Sequence, residues 1–230
     1  MEKEEATVML RQFRKKRANL QMYTSAVLPA VLVGGWLYPP LGFTLLLCMA
    51  GAVGIAFYKG RAWCDWMCPR GSFYDLFLEK LSKKAKIPVF FKTAWFRSLI
   101  LAVLMTIIGV QIYFAWGDSS GIGMAFITVL TVTTTAGIVL GAFFTPRAWC
   151  QICPMGTLGS WLSRGKKPLY VSERCKDCTL CTKVCPMQLR PYESKAGSMT
   201  DGDCIKCGTC VAACPINALG FHEEVQKKAA

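Results

Sequence analysis

A chain of 230 residues with 27 lysines and arginines against 14 acidic residues carries a net charge of +13, which would ordinarily point to nucleic acid as a partner. The charge is unevenly placed, because residues 22–58 and 98–146 contain no lysine or arginine at all. Positive charge confined to the flanks of long apolar stretches is the pattern of a membrane protein, and on that pattern we exclude nucleic acid as a partner.

In chain order, residues 1–21 form a basic arm that contains Arg11, Arg14, Lys15, Lys16 and Arg17. No small-residue cleavage site follows a short apolar core, so the arm reads as retained, partly helical and lying on an anionic inner leaflet. Residues 22–38 and 41–58 are then each long enough to cross a hydrocarbon core about 30 Å thick. Only Pro39 and Pro40 separate them, so a tight hairpin is required. Residues 98–116 and 122–144 make a second hairpin around the turn 117–121, where Asp118 suits turn chemistry. Both turns lack positive charge and the segments between hairpins are rich in it. The predicted topology is four spans of a bacterial-type inner membrane with both termini cytoplasmic.

The spans hold no Asp, Glu, Lys or Arg, which argues against a proton pump or channel. They hold no histidine either, so a bis-histidine haem cannot be built, and His222 reads as a surface residue. Cys48 lies inside the second span and reads as a small core residue.

Each hairpin is followed by a near-repeat. Arg61-Ala62-Trp63-Cys64 leads to Cys68-Pro69-Arg70-Gly71, and Arg147-Ala148-Trp149-Cys150 leads to Cys153-Pro154-Met155-Gly156. The chain reads as a duplicated unit of two spans and one cysteine loop. Units packed side by side would bring Cys64, Cys68, Cys150 and Cys153 together, enough thiolates for one further cubane. The same four residues also fit a redox dithiol, a zinc site or a paired structural feature. Arg61 and Arg147 stand where they could offset thiolate charge, and they read equally as positive-inside anchors beside headgroup-level Trp63 and Trp149. Asp65 and Asp75 are the carboxylates nearest the membrane surface. They are candidate proton acceptors for quinol oxidation, or else solvated or arginine-paired groups. Lys80, Lys83, Lys84 and Lys86 form an amphipathic segment for the inner leaflet, with an acidic docking partner as the alternative.

After a linker at 163–168 come eight cysteines in two runs of the same spacing. Cys175, Cys178, Cys181 and Cys185 precede Pro186, and Cys204, Cys207, Cys210 and Cys214 precede Pro215. C-x2-C-x2-C-x3-C-P is the bacterial two-cluster ferredoxin pattern, in which the fourth cysteine of each run reaches across to the other cluster. The expected sets are Cys175, Cys178, Cys181 with Cys214, and Cys204, Cys207, Cys210 with Cys185. Zinc favours paired C-x2-C knuckles, and a disulfide framework does not suit a reducing compartment. No GxGxxG, P-loop or nucleophile elbow accompanies the runs, so no flavin or nicotinamide site is expected.

Together these features resemble the membrane-bound ferredoxins of the NapH type over nearly the whole chain. That family's loops read C-x3-C-P, which Cys64 and Cys68 match. The second loop, Cys150 and Cys153, is one residue shorter. The resemblance implies electron relay between the quinone pool and partner redox subunits such as ferredoxin-like, haem or flavin proteins. Two other functions fit the same residues: a maturation factor that reduces a metal or disulfide, and an anchor that only wires a larger complex. The expected fold is an all-α four-span membrane domain of two tandem helical hairpins with Cys-Pro loops (22–168), plus a small α+β bacterial two-cluster ferredoxin domain (169–222) and a polar tail (223–230).

Overall fold

The computed structural model describes residues 2–221, so His222 and the tail 223–230 lie outside the described residues. Helix α1 (Glu2–Leu37) and helix α2 (Thr44–Lys59) are joined by a 3-10 turn at Pro39–Phe43. Two short helices, α3 (Trp63–Trp66) and α4 (Pro69–Leu78), follow α2. Helices α5 (Ala94–Phe114) and α6 (Ser119–Phe143) come next and pack on each other, followed by α7 (Ala148–Ile152) and α8 (Pro154–Ser163). Four helical segments, Thr7–Leu37, Pro39–Leu78, Ala94–Phe114 and Ser119–Phe143, are long and apolar enough to cross a membrane. In the most apolar stretch of α6, 39% is buried, against 6% in α5, so α6 is the inner helix of the bundle and α5 an outer one.

Local chemistry sets the boundaries. Asp118 caps α6 by accepting hydrogen bonds from the amides of Ser120 at 3.0 Å and Gly121 at 2.9 Å, the usual role of an N-cap carboxylate. Pro69 and Pro154 open α4 and α8, where a missing amide proton costs nothing. At the turn end of the bundle, glycines let the Pro39–Phe43 turn and α6 touch backbone to backbone. A Cβ on Gly123 would fall 2.2 Å from the carbonyl oxygen of Pro39, and one on Gly42 would fall 2.3 Å from that of Gly123. At the loop end, α4 lies against α1 and α6, while α8 lies against α2 and α5. The Tyr74 hydroxyl of α4 donates to the Thr134 carbonyl at 3.1 Å.

The basic arm does not lie flat. It continues the first span as one helix of 36 residues, about 54 Å long at 1.5 Å per residue. Arg17, Gln21 and Thr24, spaced to share a helix face, bind Asp65, Asp75 and Ser72. Those contacts hold the helix upright, and Arg11, Arg14, Lys15 and Lys16 stay exposed. Higher up, the Phe13 ring meets Trp66 edge-on at 6.3 Å and reaches Gly208 of the C-terminal module.

That module contains β1 (Leu169–Val171), α9 (Leu180–Lys183), β2 (Gly197–Met199), α10 (Thr209–Ala212) and β3 (Leu219–Gly220). The sheet order is β2-β1-β3, all antiparallel, with Tyr170 opposite Ser198 on one side and Gly220 on the other. The two cysteine runs share one backbone. Asp177, Thr179 and Gln188 in the first run have positive φ, as do Lys206, Gly208 and Asn217 at the matching places in the second.

Substituting Gly123→Ala is expected to force the Pro39 carbonyl aside and to destabilise the bundle by about 1–3 kcal/mol, the usual range for overpacking. Thermal unfolding in detergent measures this, and an unchanged midpoint would refute the close approach.

Candidate metal centres

In the C-terminal module, Cys185, Cys204, Cys207 and Cys210 line one small cavity of about 20 Å³. This is the set expected from the spacing of the runs. Cys175 lies within electrostatic reach of Cys214 and of Cys181, and the remaining member, Cys178, is exposed. Each fourth cysteine accepts a backbone hydrogen bond four residues on, from Leu189 to Cys185 Sγ at 3.4 Å and from Ala218 to Cys214 Sγ at 3.3 Å. Amide donors of this kind stabilise thiolate charge and tune cluster potentials. Burial, with Cys207 and Cys204 nearby, pushes the Cys185 thiol up to about 12. The two sets differ in exposure: Cys204, Cys207 and Cys210 are all buried, whereas Cys178 faces solvent.

The two membrane-side loops are locked by exchange. Arg147 Nη1 donates to the carbonyl of Cys64 at 2.7 Å, and Arg61 Nη2 donates to the carbonyl of Cys150. Glycine makes room for each exchange. A Cβ on Gly71 would fall 2.8 Å from the Cys64 carbonyl oxygen, and one on Gly156 would fall 2.5 Å from Arg61 Nη2. The unequal spacing of the loops is absorbed at one residue. The amide of Cys68 bonds to the Trp63 carbonyl at 2.9 Å, and that of Cys153 bonds to the Trp149 carbonyl at the same distance. Both second cysteines are therefore tied to the matching tryptophan, and the extra residue of the first loop, Met67, is pushed outward to 48% exposure.

Between the loops and the spans lies a cavity of about 280 Å³. Cys64, Cys68, Cys150 and Cys153 line one end of it, and Val31, Leu104, Met105 and Ile108 of the spanning helices line the other. Cys48 also lines it, so the thirteenth cysteine belongs to this cavity and not to a closed core. Arg70 Nη2 lies 3.3 Å from Cys153 Sγ, Nη1 donates to Thr133 Oγ1 at 2.9 Å, and the guanidinium sits 5.4 Å over the Trp149 ring. Among the described residues, no three His, Cys, Asp or Glu side chains converge tightly enough for a single ion.

Arg61 and Arg147 are 1% exposed, so neither is a headgroup anchor. Trp63 packs on Gly51 and Trp149 is buried, so neither tryptophan is a belt residue. Asp65 and Asp75 are arginine-paired: Arg147 reaches them at 3.0 and 2.7 Å, and Arg17 bonds to both.

A second ion cluster joins the module to the bundle. Asp203, next to Cys204, accepts two hydrogen bonds from Arg97 at 2.8 and 2.6 Å and one from Arg61 at 3.0 Å. Gln151 donates to the Met187 carbonyl at 3.2 Å beside it. One apolar core then runs from Cys64 and Cys150 through Ile205 and the buried cysteines of the second run. Sequence reasoning missed Arg17, Arg70, Arg97 and Asp203. The spacing of Arg17 with Gln21 and Thr24 was a visible signal for the first of them.

Two sequence families match the chain. A 4Fe-4S binding domain matches twice, at residues 41–88 and 121–171, and a 4Fe-4S dicluster domain matches residues 167–215. The chain is 34% identical to an uncharacterized protein of Methanocaldococcus jannaschii, over 74% of this chain and 68% of that protein. It is 28% identical to the ferredoxin-type protein NapH of Escherichia coli, over 85% of this chain and 70% of NapH. The methylamine utilization ferredoxin-type protein MauN of Methylobacillus flagellatus is 29% identical, over 74% of this chain and 65% of MauN. The chain belongs to the NapH-type family of membrane-bound ferredoxins. Like other members of this NapH-type family, it is a membrane protein that binds iron–sulfur clusters and transfers electrons. No solved structure matches it.

In this NapH-type ferredoxin, Asp203→Asn is expected to loosen the module, at a cost of about 3–5 kcal/mol for breaking a buried ion cluster. Burial raises the Asp203 pKa, but Arg97 and Arg61 outweigh it and hold the carboxyl below its ordinary 3.8. Its contribution is therefore complete above that value and lost as pH falls through the lower folded value. Unfolding midpoints of the two proteins should differ at neutral pH and converge in acid. A constant difference across pH would rule out the charge as the cause.

Proposed function

We propose that the chain relays electrons between quinol in an inner membrane and a redox partner subunit, with both termini and all the cysteine sites on the cytoplasmic side. The observation that carries this reading is the cavity of about 280 Å³, in which four loop cysteines meet apolar side chains of the spanning helices. Such a chamber would place an apolar carrier against the spanning helices and the thiolate ligands at once. Cys64, Cys68, Cys150 and Cys153 are the ligands of a third iron–sulfur cluster in this reading. Cys204, Cys207, Cys210 and Cys185 hold the cluster next to it, and Cys175, Cys178, Cys181 and Cys214 hold the outer one. When bound, the clusters supply one-electron carriers whose potentials follow charge, hydrogen bonding and exposure.

Three features support that order. Cys207 lies within electrostatic reach of Asp65 and Arg17. Cys64 and Cys150 pack on the core formed by the second run. Cys178 is exposed, so the outer set faces whatever partner subunit accepts or supplies electrons. Asp65 and Asp75 have no proton-transfer part in this reading. Protonating either would leave Arg17 or Arg147 short of a buried counter-charge. Their role is to hold α1 and the second loop together.

Iron and acid-labile sulfide on anaerobically purified protein, with EPR after dithionite reduction, test the reading. We expect about twelve irons per chain, falling to about eight in the Cys64→Ser, Cys150→Ser double variant, at four irons per cubane. A quinol analogue is expected to perturb only the signal that this variant loses. About eight irons in the unmutated chain would leave the loop cysteines as thiols and favour a reductive maturation role.

A further inference from the structure

At the loop end the arginines and carboxylates do not balance, and the imbalance has a location. Arg17 and Arg147 face Asp65 and Asp75, two guanidiniums against two carboxylates. Arg61 and Arg97 share the single carboxylate of Asp203. Arg70 pairs with no carboxylate among the described residues. Its partners are a threonine hydroxyl, a cysteine sulfur and an indole ring. Guanidiniums remain protonated in proteins, so two positive charges stay uncompensated. Of these arginines, only Arg61 and Arg70 line the cavity that holds the four loop cysteines. Lys206, a further buried cation among the described residues, faces Cys204 and Asp201 inside the C-terminal module. Burying such an excess of positive charge is costly, and Arg61, which shares its carboxylate, and Arg70, which has none, leave a place for an anion at the cavity they line.

We propose that Arg61 and Arg70 are the counter-charges of a doubly anionic four-thiolate iron–sulfur centre, and that Arg70 sets its reduction potential. The proposal rests on the reading that Cys64, Cys68, Cys150 and Cys153 ligate a cluster. A cubane core with two positive charges on four thiolates has a net charge of minus two, equal and opposite to the excess of five guanidiniums over three carboxylates. Neutral thiols or a pair of disulfides would leave Arg70 with no counter-charge and Arg61 with only its share of Asp203. One electron taken from a reductant makes the centre minus three, so a cation at a ligand sulfur favours the reduced form. The two loops are unequal here. Arg70 follows Cys68-Pro69 and reaches across to Cys153, whereas the matching position after Cys153-Pro154 is Met155. Arg70 is a positioning residue that acts through the Cys153 sulfur, and Arg61 also holds the Asp203 cluster, so Arg70 is the cleaner probe.

The test is an EPR-monitored redox titration of the full chain, with iron counted in each sample. Arg70→Met, which copies the residue at the matching place in the second loop, is expected to shift the reduction equilibrium of the loop centre at least tenfold toward oxidation. For one electron this is about 59 mV. The signals of the two C-terminal centres should not move, and Arg70→Lys should retain most of the original potential. If Arg70→Met loses about four irons while Arg70→Lys keeps them, charge is again the cause and the proposal stands. Loss from both variants, or an unchanged midpoint with all iron retained in Arg70→Met, overturns it while leaving the third cluster intact as a reading. About eight irons in the unmutated chain removes the centre itself and overturns both.

Discussion

A guanidinium taken out of water has to be met by oxygen, sulfur or opposite charge within hydrogen-bond reach. Five arginines at the loop end satisfy that demand with groups far away in sequence, and the assembly depends on those choices. Arg61 reaches the second loop and the C-terminal module, while Arg147 reaches the first loop and α4. Neither loop can be displaced without stranding the other's arginine. The two cysteine loops are therefore held in place by charge burial.

The scaffold is close to symmetric, but its use is not. Each loop has an arginine, a tryptophan, two cysteines, a proline and a glycine in the same order, and the arginines exchange equivalent bonds. The remaining valence of each arginine has diverged. Arg147 turns to Asp65 and Asp75, which tie it to α1, whereas Arg61 turns to Asp203 and so anchors the module. One copy of the unit holds the N-terminal helix and the other holds the cysteine-rich domain. The short second loop keeps its register because Met67 is the surplus residue of the first.

Much of this was legible in the sequence, because some constraints are local. The spacing of the eight C-terminal cysteines follows from cluster geometry, and the spans follow from stretches without lysine or arginine. The inward turn of Arg61, Arg147, Trp63 and Trp149 was not legible. Arginine and tryptophan beside a membrane span read the same whether they face headgroups or a buried ion cluster. What distinguishes the two is the placement of Asp65, Asp75 and Asp203, and Asp203 lies 142 positions from Arg61. The arm was misread for a related reason. Its exposed lysines and arginines dominate the composition, while the few residues that hold it upright, Arg17, Gln21 and Thr24, form a stripe that crosses the apolar boundary.

The unbroken course of α1 has a mechanical side. A single rod runs from the turn end of the bundle, past the loop cysteines, to Phe13 against Gly208. Spanning helices adjust their tilt to the thickness of the surrounding lipid. Pro29 lies inside the helix, and the hydrogen bond it removes marks where such a tilt is taken up as a bend. The stretch from Phe13 to Thr24, held by Trp66, Asp65, Asp75 and Ser72, can thus keep its place while the spanning part tilts.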